Sequence, residues 1–420
     1  MLGRTGKGMP NTALRSVVAL FFAGFIAYAY NNAFMVLSPL YVIEIGGTVV
    51  DVGVQGSVFM AAAIVLRFFS GPLADRCGTQ LVMVLGLSAF AVSGFLMAYC
   101  GQVWQFIALR CIQAAGLAAY FPCATAAVAA LAPGDKTGFY LGLYRLVSSA
   151  SLLFGPTLAL ALVEASGYRS SFICMGLCAG LAGCAVLSIS SKRSRLYAEI
   201  DAGRQGKNAL QGKDEQRQSD RNLVPRILKK AIMQSPLLIG EVLGATFIAA
   251  LGYGLLFGFA APYIGSVQPD INSGLYFTLI GVGGLVANPL AGWLSDRTSR
   301  TRILAILFVC MGAGIASLGF MSYGRVVLFV SGLLMGFGYF GSMTTVLAIV
   351  AARVADEART SVLSLQQNSI DLGIACASGG FGLAIAAVGD VTAIFMFQGV
   401  IAVLLGLATL FLPHARHGDM

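Results

Sequence analysis

Charged residues are scarce in this chain of 420 residues. Asp, Glu, Lys and Arg together make up 11% of it, whereas about 25% is typical of soluble proteins. Hydrophobic residues account for 57%, and the mean hydropathy is +0.82. This composition excludes a water-soluble domain, because too little polar surface is available to face water. It predicts an all-α integral membrane protein in contact with a lipid bilayer.

Histidine and recognisable catalytic motifs are also scarce. Both histidines, His414 and His417, lie in the C-terminal tail, so no imidazole could transfer protons within the membrane. Most of the nine cysteines fall inside apolar runs, and none belongs to a CxxC or Cys/His cluster. Neither GxSxG nor HExxH occurs. We therefore expect no enzymatic activity, no cofactor and no bound metal.

Hydrophobic runs of roughly 20 residues, the length that crosses a ~30 Å hydrocarbon core, occur along the whole chain. Nothing in the first run resembles a cleavable signal peptide, so we expect it to be retained. The runs predict twelve transmembrane helices, at about residues 13–43, 52–73, 80–100, 103–131, 138–163, 170–190, 235–264, 272–294, 302–321, 325–352, 361–388 and 391–412.

Positive charge is concentrated between the sixth and seventh runs. Residues 192–230 contain 11 of the 27 Lys and Arg residues and five acidic residues. We expect 191–234 to be a cytoplasmic linker between an N-terminal bundle, 1–190, and a C-terminal bundle, 235–420. The loops on the opposite side of the membrane hold Arg169 and Arg325 alone. The positive-inside rule thus places both termini in the cytoplasm, at the cell membrane, and explains the net charge without a nucleic-acid partner.

Several sequence features occur twice at a nearly constant separation. GPLADRCG, which runs from Gly71 to Gly78, is followed 221 residues later by GWLSDR at Gly292. FIAY at Phe25 returns 222 residues later as FIAA at Phe247. Such a duplication predicts two pseudo-symmetric six-helix bundles with a substrate site between them, an arrangement that is typical of secondary transporters.

The first of these motifs resembles the loop between the second and third helices of the major facilitator superfamily, G-x-L-a-D-r-x-G-r-k. The match extends to the last glycine, after which Thr79 and Gln80 replace the usual basic pair. The glycines of the loop are expected to form a tight turn between two helices. The resemblance implies the major facilitator fold, and it implies gating roles for both copies of the motif, at Gly71, Asp75, Arg76, Gly78, Gly292, Asp296 and Arg297.

Two further motifs resemble those of the same superfamily. RCIQAAG, which begins at Arg110, is similar to the R-x-x-q-G-x-g motif that is linked there to proton transfer. Gly142, Ser151, Gly155 and Pro156 follow the spacing of the G-x8-G-x3-G-P motif of antiporters, with serine in place of the middle glycine. This resemblance favours drug:proton antiporter-type exporters and implies gating roles for Gly155 and Pro156. An ordinary packing face of small residues is the alternative.

Charged residues inside membrane spans cost at least ~2.5–3.5 kcal/mol each at a helix centre, so they are functional candidates. Asp371 lies about 15 Å into the eleventh run, near the midplane. A desolvated carboxylate binds a proton and a carboxylate beside an arginine releases it, as a proton-coupled cycle requires. A static ion pair that locks the bundles together is the alternative. Arg110 and Glu241 are further candidates for proton coupling, although Arg110 could satisfy carbonyl groups and Glu241 could reach the membrane surface.

Arg145 lies at a comparable depth in the fifth run, the pseudo-symmetric counterpart of the eleventh. We expect it to pair with Asp371 across the bundle interface, where a substrate or a proton would compete for the pair. Neutral polar side chains complete the predicted cavity, although hydrogen bonding between helices is the alternative for each of them. The candidates for substrate binding are Tyr28, Asn31, Asn32, Gln113, Tyr144, Arg145, Ser148, Tyr253, Gln367 and Asn368.

Taken together, these patterns predict a secondary active transporter that moves a small organic solute by alternating access and functions as a monomer. Proton-coupled export is the expected activity, because the fifth-run motif is that of antiporters. Proton-coupled uptake of an anionic metabolite or a sugar-like solute is the alternative.

Overall fold

The computed structural model describes residues 11–131, 137–189, 236–295, 297–354 and 356–410. This part of the chain forms helices without strands, and eleven of its helices are long and apolar enough to cross a membrane. They are α1 (Asn11–Glu44), α2 (Val49–Cys77), α3 (Thr79–Met97), α4 (Val103–Leu131), α5 (Thr137–Leu187), α6 (Pro236–Val267), α7 (Gly274–Ser295), α8 (Arg300–Leu318), α9 (Arg325–Arg353), α10 (Asp356–Val388) and α11 (Val391–Thr409). A 3-10 turn at Met321–Tyr323 precedes α9.

Helix α5 crosses the membrane twice. Its 51 residues would extend about 75 Å at 1.5 Å per residue, more than twice the thickness of the hydrocarbon core. Gly167, with φ 77° and ψ 169°, breaks the helix and separates a fifth from a sixth crossing. The structure therefore has the predicted twelve crossings, but a single glycine stands where the sequence predicted a longer loop.

The duplication is visible in the helix boundaries. Helices α3 and α8 each contain 19 residues and begin 221 positions apart, at Thr79 and Arg300. Helices α4 and α9 each contain 29 residues and begin 222 positions apart, at Val103 and Arg325. We call α1–α5 the N-terminal bundle and α6–α11 the C-terminal bundle. The predicted linker, 191–234, lies outside the described residues, so the domain boundaries 1–190, 191–234 and 235–420 stay predictions.

Glycines let equivalent helices of the two bundles approach each other closely. A Cβ at Gly116 on α4 would collide with the Phe90 ring on α3, and one at Gly338 on α9 would collide with the backbone of Met311 on α8. These two glycines are 222 residues apart. The same close packing is thus required once in each bundle, as expected for membrane helices whose association depends on small residues.

The prediction of a turn at both glycines of the GPLADRCG motif is wrong for the first of them. Helix α2 continues through Gly71 and Pro72 to Cys77, and the chain turns at Gly78, where φ is 89°. The Gly78 N–H still donates to the Ala74 carbonyl oxygen at 2.8 Å, and the positive φ of Gly78 then turns the chain out of the helix. Gly292 likewise lies inside helix α7. Membrane helices tolerate such glycines and prolines because packing compensates for the lost backbone stability.

Candidate functional site

The two bundles meet first along α2 and α10. The Ser57 hydroxyl donates to the Ala375 carbonyl oxygen at 2.6 Å. A Cβ at Gly53 would lie 2.5 Å from the Ser378 carbonyl oxygen, and a Cβ at Gly382 would lie 3.0 Å from the Gly53 Cα. The helices are therefore in backbone contact here, and residues larger than glycine would separate them.

A second contact joins the fifth crossing to α7. The hydroxyls of Thr157 and Thr278 lie 2.7 Å apart, and Thr278 also donates to the Leu153 carbonyl oxygen at 2.6 Å. Gly274, the first residue of α7, packs against the Thr157 backbone. This contact lies towards the Gly167 end of the fifth crossing, and the α2–α10 contact lies towards the start of α2. Both are at the same end of the molecule, which we call the closed end.

An apolar layer lies next to the closed end and joins the two bundles. Helices α2 and α4 contribute to it from one bundle, and α6 and α10 contribute from the other. Its buried members are Phe59, Met60, Ala63, Ala114, Ala250 and Ile374. Because these side chains fill the interface, the apolar layer separates the closed end from the polar groups beyond it.

A charged pair follows the apolar layer. Arg67, one turn beyond the apolar layer on α2, forms a salt bridge through Nη1 with Oδ2 of Asp371 on α10. Gln367, one turn from Asp371 on α10, donates its amide to the other carboxylate oxygen at 3.3 Å. Asp371 is buried, with 5% of its surface exposed, whereas the Arg67 side chain is 23% exposed. The pair thus connects the two bundles at the border between a sealed and an accessible region.

Sequence reasoning identified Asp371 but missed Arg67. The partner predicted for Asp371 was Arg145, chosen because the fifth and eleventh crossings are pseudo-symmetric. In the structure α10 packs on α2 and the carboxylate of Asp371 binds Arg67, and the pairing of Asp371 with Arg145 stays a prediction. The side chain of Arg145 lies outside the described residues. Inspection of every charge in the apolar runs would have found Arg67, which stands in the second run within AIVLRFF.

Two amides of α10 lie on the far side of the charged pair. Gln367 and Asn368 lie one helical turn from Asp371 and share its face of α10, yet both are exposed. That these two amides line an accessible cavity stays a prediction. Ser378, which lies two turns further along the same face of α10, packs against Gly56 of α2.

Arg110 is buried beside the apolar layer, with 1% of its surface exposed. Its Nη1 donates to Oε1 of Gln113, a fully buried neighbour one turn along α4. The guanidinium carbon lies 3.8 Å from the centre of the Phe59 ring, a cation–π contact. Along α2, Phe59 is eight residues from Arg67, or about 12 Å. Arg110 and the charged pair therefore lie at two different levels of the interface.

The antiporter-like motif packs α1 against the fifth crossing. The Asn32 amide donates to the Ser151 hydroxyl at 3.0 Å, and that hydroxyl donates to the Ser148 carbonyl oxygen at 2.6 Å. A Cβ at Gly155 would lie 2.9 Å from the Ala29 carbonyl oxygen. Ser151, which replaces the glycine of the family pattern, is thus used for a hydrogen bond between helices. For Asn32, the structure supports the alternative of helix–helix bonding.

Each bundle carries aromatic rings among the predicted substrate residues. In the N-terminal bundle the Tyr28 ring centre lies 4.5 Å from that of Phe121 and 5.9 Å from that of Tyr144. In the C-terminal bundle Tyr253 and Tyr339 stack at 4.4 Å with 20° between their planes. Tyr144 is almost fully buried, so it supports the packing of this cluster more than it offers a surface.

The remaining candidates are more scattered. Asn31 and Ser148 are half-buried, and Glu241 is half-buried near the start of α6. Arg76 is exposed, and the Arg297 guanidinium lies 4.3 Å from the Trp293 ring. Pro156 lies within α5. Asp296 and the side chain of Asp75 lie outside the described residues. Among the residues that the structure describes, no cluster of His, Cys, Asp and Glu could hold a metal ion.

Gln80 shows what replaces the basic pair of the family motif. Its side-chain amide donates at 2.9 Å to the carbonyl oxygens of Val186 and Ile189, at the C-terminal end of α5. Carbonyl groups at a helix C-terminus have no partner within the helix, and basic side chains often bind them. The neutral amide supplies the same kind of donor, so it connects the start of α3 to the end of the sixth crossing.

Two repeated bundles with a polar interface that is closed at one end define a secondary transporter that works by alternating access. The family model of the Major Facilitator Superfamily matches residues 20–244 and 242–419. The chain belongs to this family, whose members are transporters of small molecules and not enzymes.

Similar proteins agree with this assignment. The chain is 27% identical over 307 residues to the multidrug resistance protein MdtG of Serratia proteamaculans, which covers 70% of this chain and 69% of that protein. It is 28% identical over 152 residues to the probable sulfoacetate transporter SauU of Cupriavidus necator, covering 36% and 35% of the two chains. The partially occluded inward-open structure of the xylose transporter XylE from E. coli superimposes with a TM-score of 0.68 at 15% identity, covering 97% and 98% of the chains.

Proposed function

We propose that this transporter exports a small organic solute from the cell in exchange for protons, and that Asp371 binds the proton. The observation that carries the proposal is the salt bridge between Arg67 and the buried Asp371, which joins the two bundles. A carboxylate in such a position is costly unless it is paired, so its protonation state and the arrangement of the bundles depend on each other. We further propose that the protein acts as a monomer in the cell membrane, with lipid and no nucleic acid as partner.

The orientation of the protein is part of the proposal. The basic linker, 191–234, and the other basic loops favour a cytoplasmic position for both termini. The closed end then faces the outside of the cell, and the exposed Gln367 and Asn368 face the cytoplasm. In this state the interface is open to a solute that enters from the cytoplasm.

Protonation changes the balance between the two arrangements of the bundles. The charged carboxylate of Asp371 binds Arg67 and holds α10 against α2. A proton on Asp371 removes this attraction and leaves the Arg67 charge without its partner. Because alternating access needs two arrangements of similar free energy, a change of a few kcal/mol is enough to shift their populations by a factor of ~100 or more.

The direction of transport rests on two observations. The MdtG proteins that this chain resembles are described as multidrug resistance proteins. The close packing of α1 on the fifth crossing, at Ser151 and Gly155, preserves the small-residue pattern that resembles that of antiporters. Both favour export in exchange for protons.

Inside-out membrane vesicles would test this proposal. We expect that some compounds of an antimicrobial panel will release protons from acidified vesicles, which a pH-sensitive dye reports as dequenching. Asp371→Asn should abolish the signal, and Asp390→Asn, which changes an exposed helix-capping acid, should not. A normal signal with Asp371→Asn would exclude this residue as the proton site. Absence of dequenching with every compound would count against proton exchange.

A second candidate function is proton-coupled uptake of an anionic metabolite or a sugar-like solute. The likeness to a probable sulfoacetate transporter over 152 residues favours it, as does the buried Arg110. The same dye separates the two functions in right-side-out vesicles. Uptake with protons makes the external medium more alkaline when the solute is added, whereas exchange for an exported solute does not.

A further inference from the structure

Among the residues that the structure describes, Arg110 is a buried cation without an acidic partner. It is 1% exposed, and the two ion pairs formed by the described residues are Arg67–Asp371 and Arg325–Asp270, neither of which includes it. Removing a guanidinium from water costs several kcal/mol even after the surroundings have relaxed. Its position therefore needs an explanation that the transport cycle at Asp371 does not supply.

The groups that surround Arg110 compensate this charge in part. One guanidinium nitrogen donates to the neutral amide of Gln113, and the ring of Phe59 lies 3.8 Å below the guanidinium carbon. The Nε of Arg110 is buried and has no hydrogen-bond partner among the described residues. A guanidinium with a free donor, held in contact with an aromatic ring, is arranged to bind a planar or tetrahedral oxyanion.

The place of Arg110 explains how a solute could reach it. Phe59 belongs to the apolar layer and packs there with Ala250 and Ile374 of the other bundle. When the bundles separate at the closed end, Phe59 loses this cover, and Arg110 lies behind that single side chain. In the present arrangement Arg110 is thus buried. In the arrangement that is open at this end, the Phe59 ring alone separates Arg110 from the interface.

The charged side chains of this region also favour a negatively charged solute. Among the described side chains at the levels of the apolar layer and the charged pair, Arg67 and Asp371 cancel each other, and Arg110 adds a positive charge without an acidic partner. Glu241 lies nine residues before Ala250 on α6, about 14 Å further along that helix, towards its start. A solute that brings a negative charge would complete the balance, whereas a cationic solute would increase the excess.

We propose that Arg110 and Gln113 bind the acidic group of the transported solute, and that the solute is an organic anion such as a carboxylate, sulfonate or phosphonate. The proposal rests on the proposed transport function and specifies its substrate class. Arg110 supplies the charge and the free Nε–H, and Gln113 orients the guanidinium. Because access requires separation of the closed end, the anion binds or leaves in the arrangement that is open at that end.

Thermal unfolding of the purified full-length protein in detergent tests the site directly. The probes are sulfoacetate, benzoate and phenylphosphonate, with benzamide and methyl benzoate as neutral counterparts. We expect at least one anion to raise the unfolding temperature of the wild type, and the neutral compounds to leave it unchanged. Arg110→Gln should weaken the apparent affinity for that anion roughly 10- to 100-fold, the effect of losing a charge-assisted bond, and Arg110→Lys should weaken it less.

Two more variants exclude an indirect effect. Gln113→Glu keeps Arg110 but places a carboxylate beside it, so it should abolish anion binding even if Arg110→Gln does not fold. Arg169→Gln removes an arginine that lies on the Tyr99 ring outside this site, and it should bind the anion normally. Anion binding that survives both Arg110→Gln and Gln113→Glu would overturn the proposal. So would the absence of stabilisation by all three anions.

The failure of this site and the failure of proton-coupled export give different results. If neutral or cationic compounds release protons from inside-out vesicles and Arg110→Gln transports them normally, export stands and the anion site is wrong. If anion binding depends on Arg110 while no compound moves protons, the site stands and the coupling is wrong. Loss of both signals would reject both proposals.

Discussion

Asp371 and Arg67 are expected to depend on each other for stability. Arg67→Gln leaves a buried carboxylate without its cation, and Asp371→Asn leaves the arginine without its anion. Each single variant should therefore lose on the order of 2 kcal/mol, less than a fully buried pair because Arg67 is partly exposed. The double variant should lose much less than the two singles combined. Denaturant unfolding in detergent measures this cycle, and additive losses would contradict a functional pair.

Ser151 is expected to matter as a hydrogen-bond partner and not as a small residue. Ser151→Ala is still small but leaves the buried Asn32 amide without an acceptor, which should cost about 1–2 kcal/mol of stability. Ser188→Ala provides a control, since it removes an exposed hydroxyl that bonds within its own turn. Thermal unfolding of both variants compares the two sites. Equal stability of Ser151→Ala and the wild type would show that the bond to Asn32 is dispensable.

Single residues were predictable where the sequence pattern is local. A carboxylate deep in an apolar run is conspicuous by itself, so Asp371 was found before its surroundings were known. Its salt bridge to Arg67 was not found, because that contact depends on which helix lies opposite and pseudo-symmetry directed the search to Arg145. The hydrogen bond between Asn32 and Ser151 could not be predicted for the same reason, since 119 residues separate its two side chains.

At the scale of helices, Gln80 is expected to act as a cap for α5. Gln80→Leu removes the donors that bind the Val186 and Ile189 carbonyl oxygens, and it should lower the unfolding temperature by a few degrees, in line with a loss of about 1 kcal/mol. Gln80→Lys restores the type of residue found in the family pattern and should retain most of the stability. Differential scanning fluorimetry checks both variants. If leucine and lysine behave alike, the capping bonds do not stabilise the protein.

Helix boundaries were predicted well in the interior of the chain and less well at special residues. The apolar runs located the helices because length and composition determine which segments cross a membrane. The turn at Gly71 was predicted wrongly because a glycine beside a proline favours a turn in water, whereas the flanking residues of α2 keep this segment helical. The sequence did not show that Gly167 alone separates the two crossings, because an ordinary loop between the fifth and sixth runs gives the same apolar pattern.

For the whole molecule, closure at one end is expected to be reversible and required for transport. Cysteines that replace Thr157 and Thr278 should form a disulfide on mild oxidation, because the two hydroxyls lie 2.7 Å apart across the bundle interface. The cross-linked protein should lose transport and recover it after reduction. Thr157→Cys alone, treated in the same way, is the control. Normal transport by the oxidised double variant would contradict alternating access at this end.

The fold of the whole molecule was more predictable than which end of the bundle interface is closed. The motifs repeated at Gly71 and Gly292 predict two similar bundles before any contact is known, and the 19-residue helices that begin at Thr79 and Arg300 agree with this duplication. Which end is closed depends on small differences among contacts such as those of Gly53 and Thr157. One sequence must support both arrangements in an alternating-access cycle, so no local pattern can indicate which of them is observed.

The break at Gly167 has a mechanical consequence. The fifth crossing touches the opposite bundle through Thr157, and the sixth continues from it after one glycine, with the Ser171 hydroxyl bonded back to the Gly167 carbonyl oxygen at 3.1 Å. No flexible loop separates the two crossings, so a tilt of the fifth crossing must also move the sixth. The N-terminal bundle would consequently rotate as one rigid body. A flexible insertion at Gly167 would uncouple the movements of the two crossings without altering the residues that bind the solute.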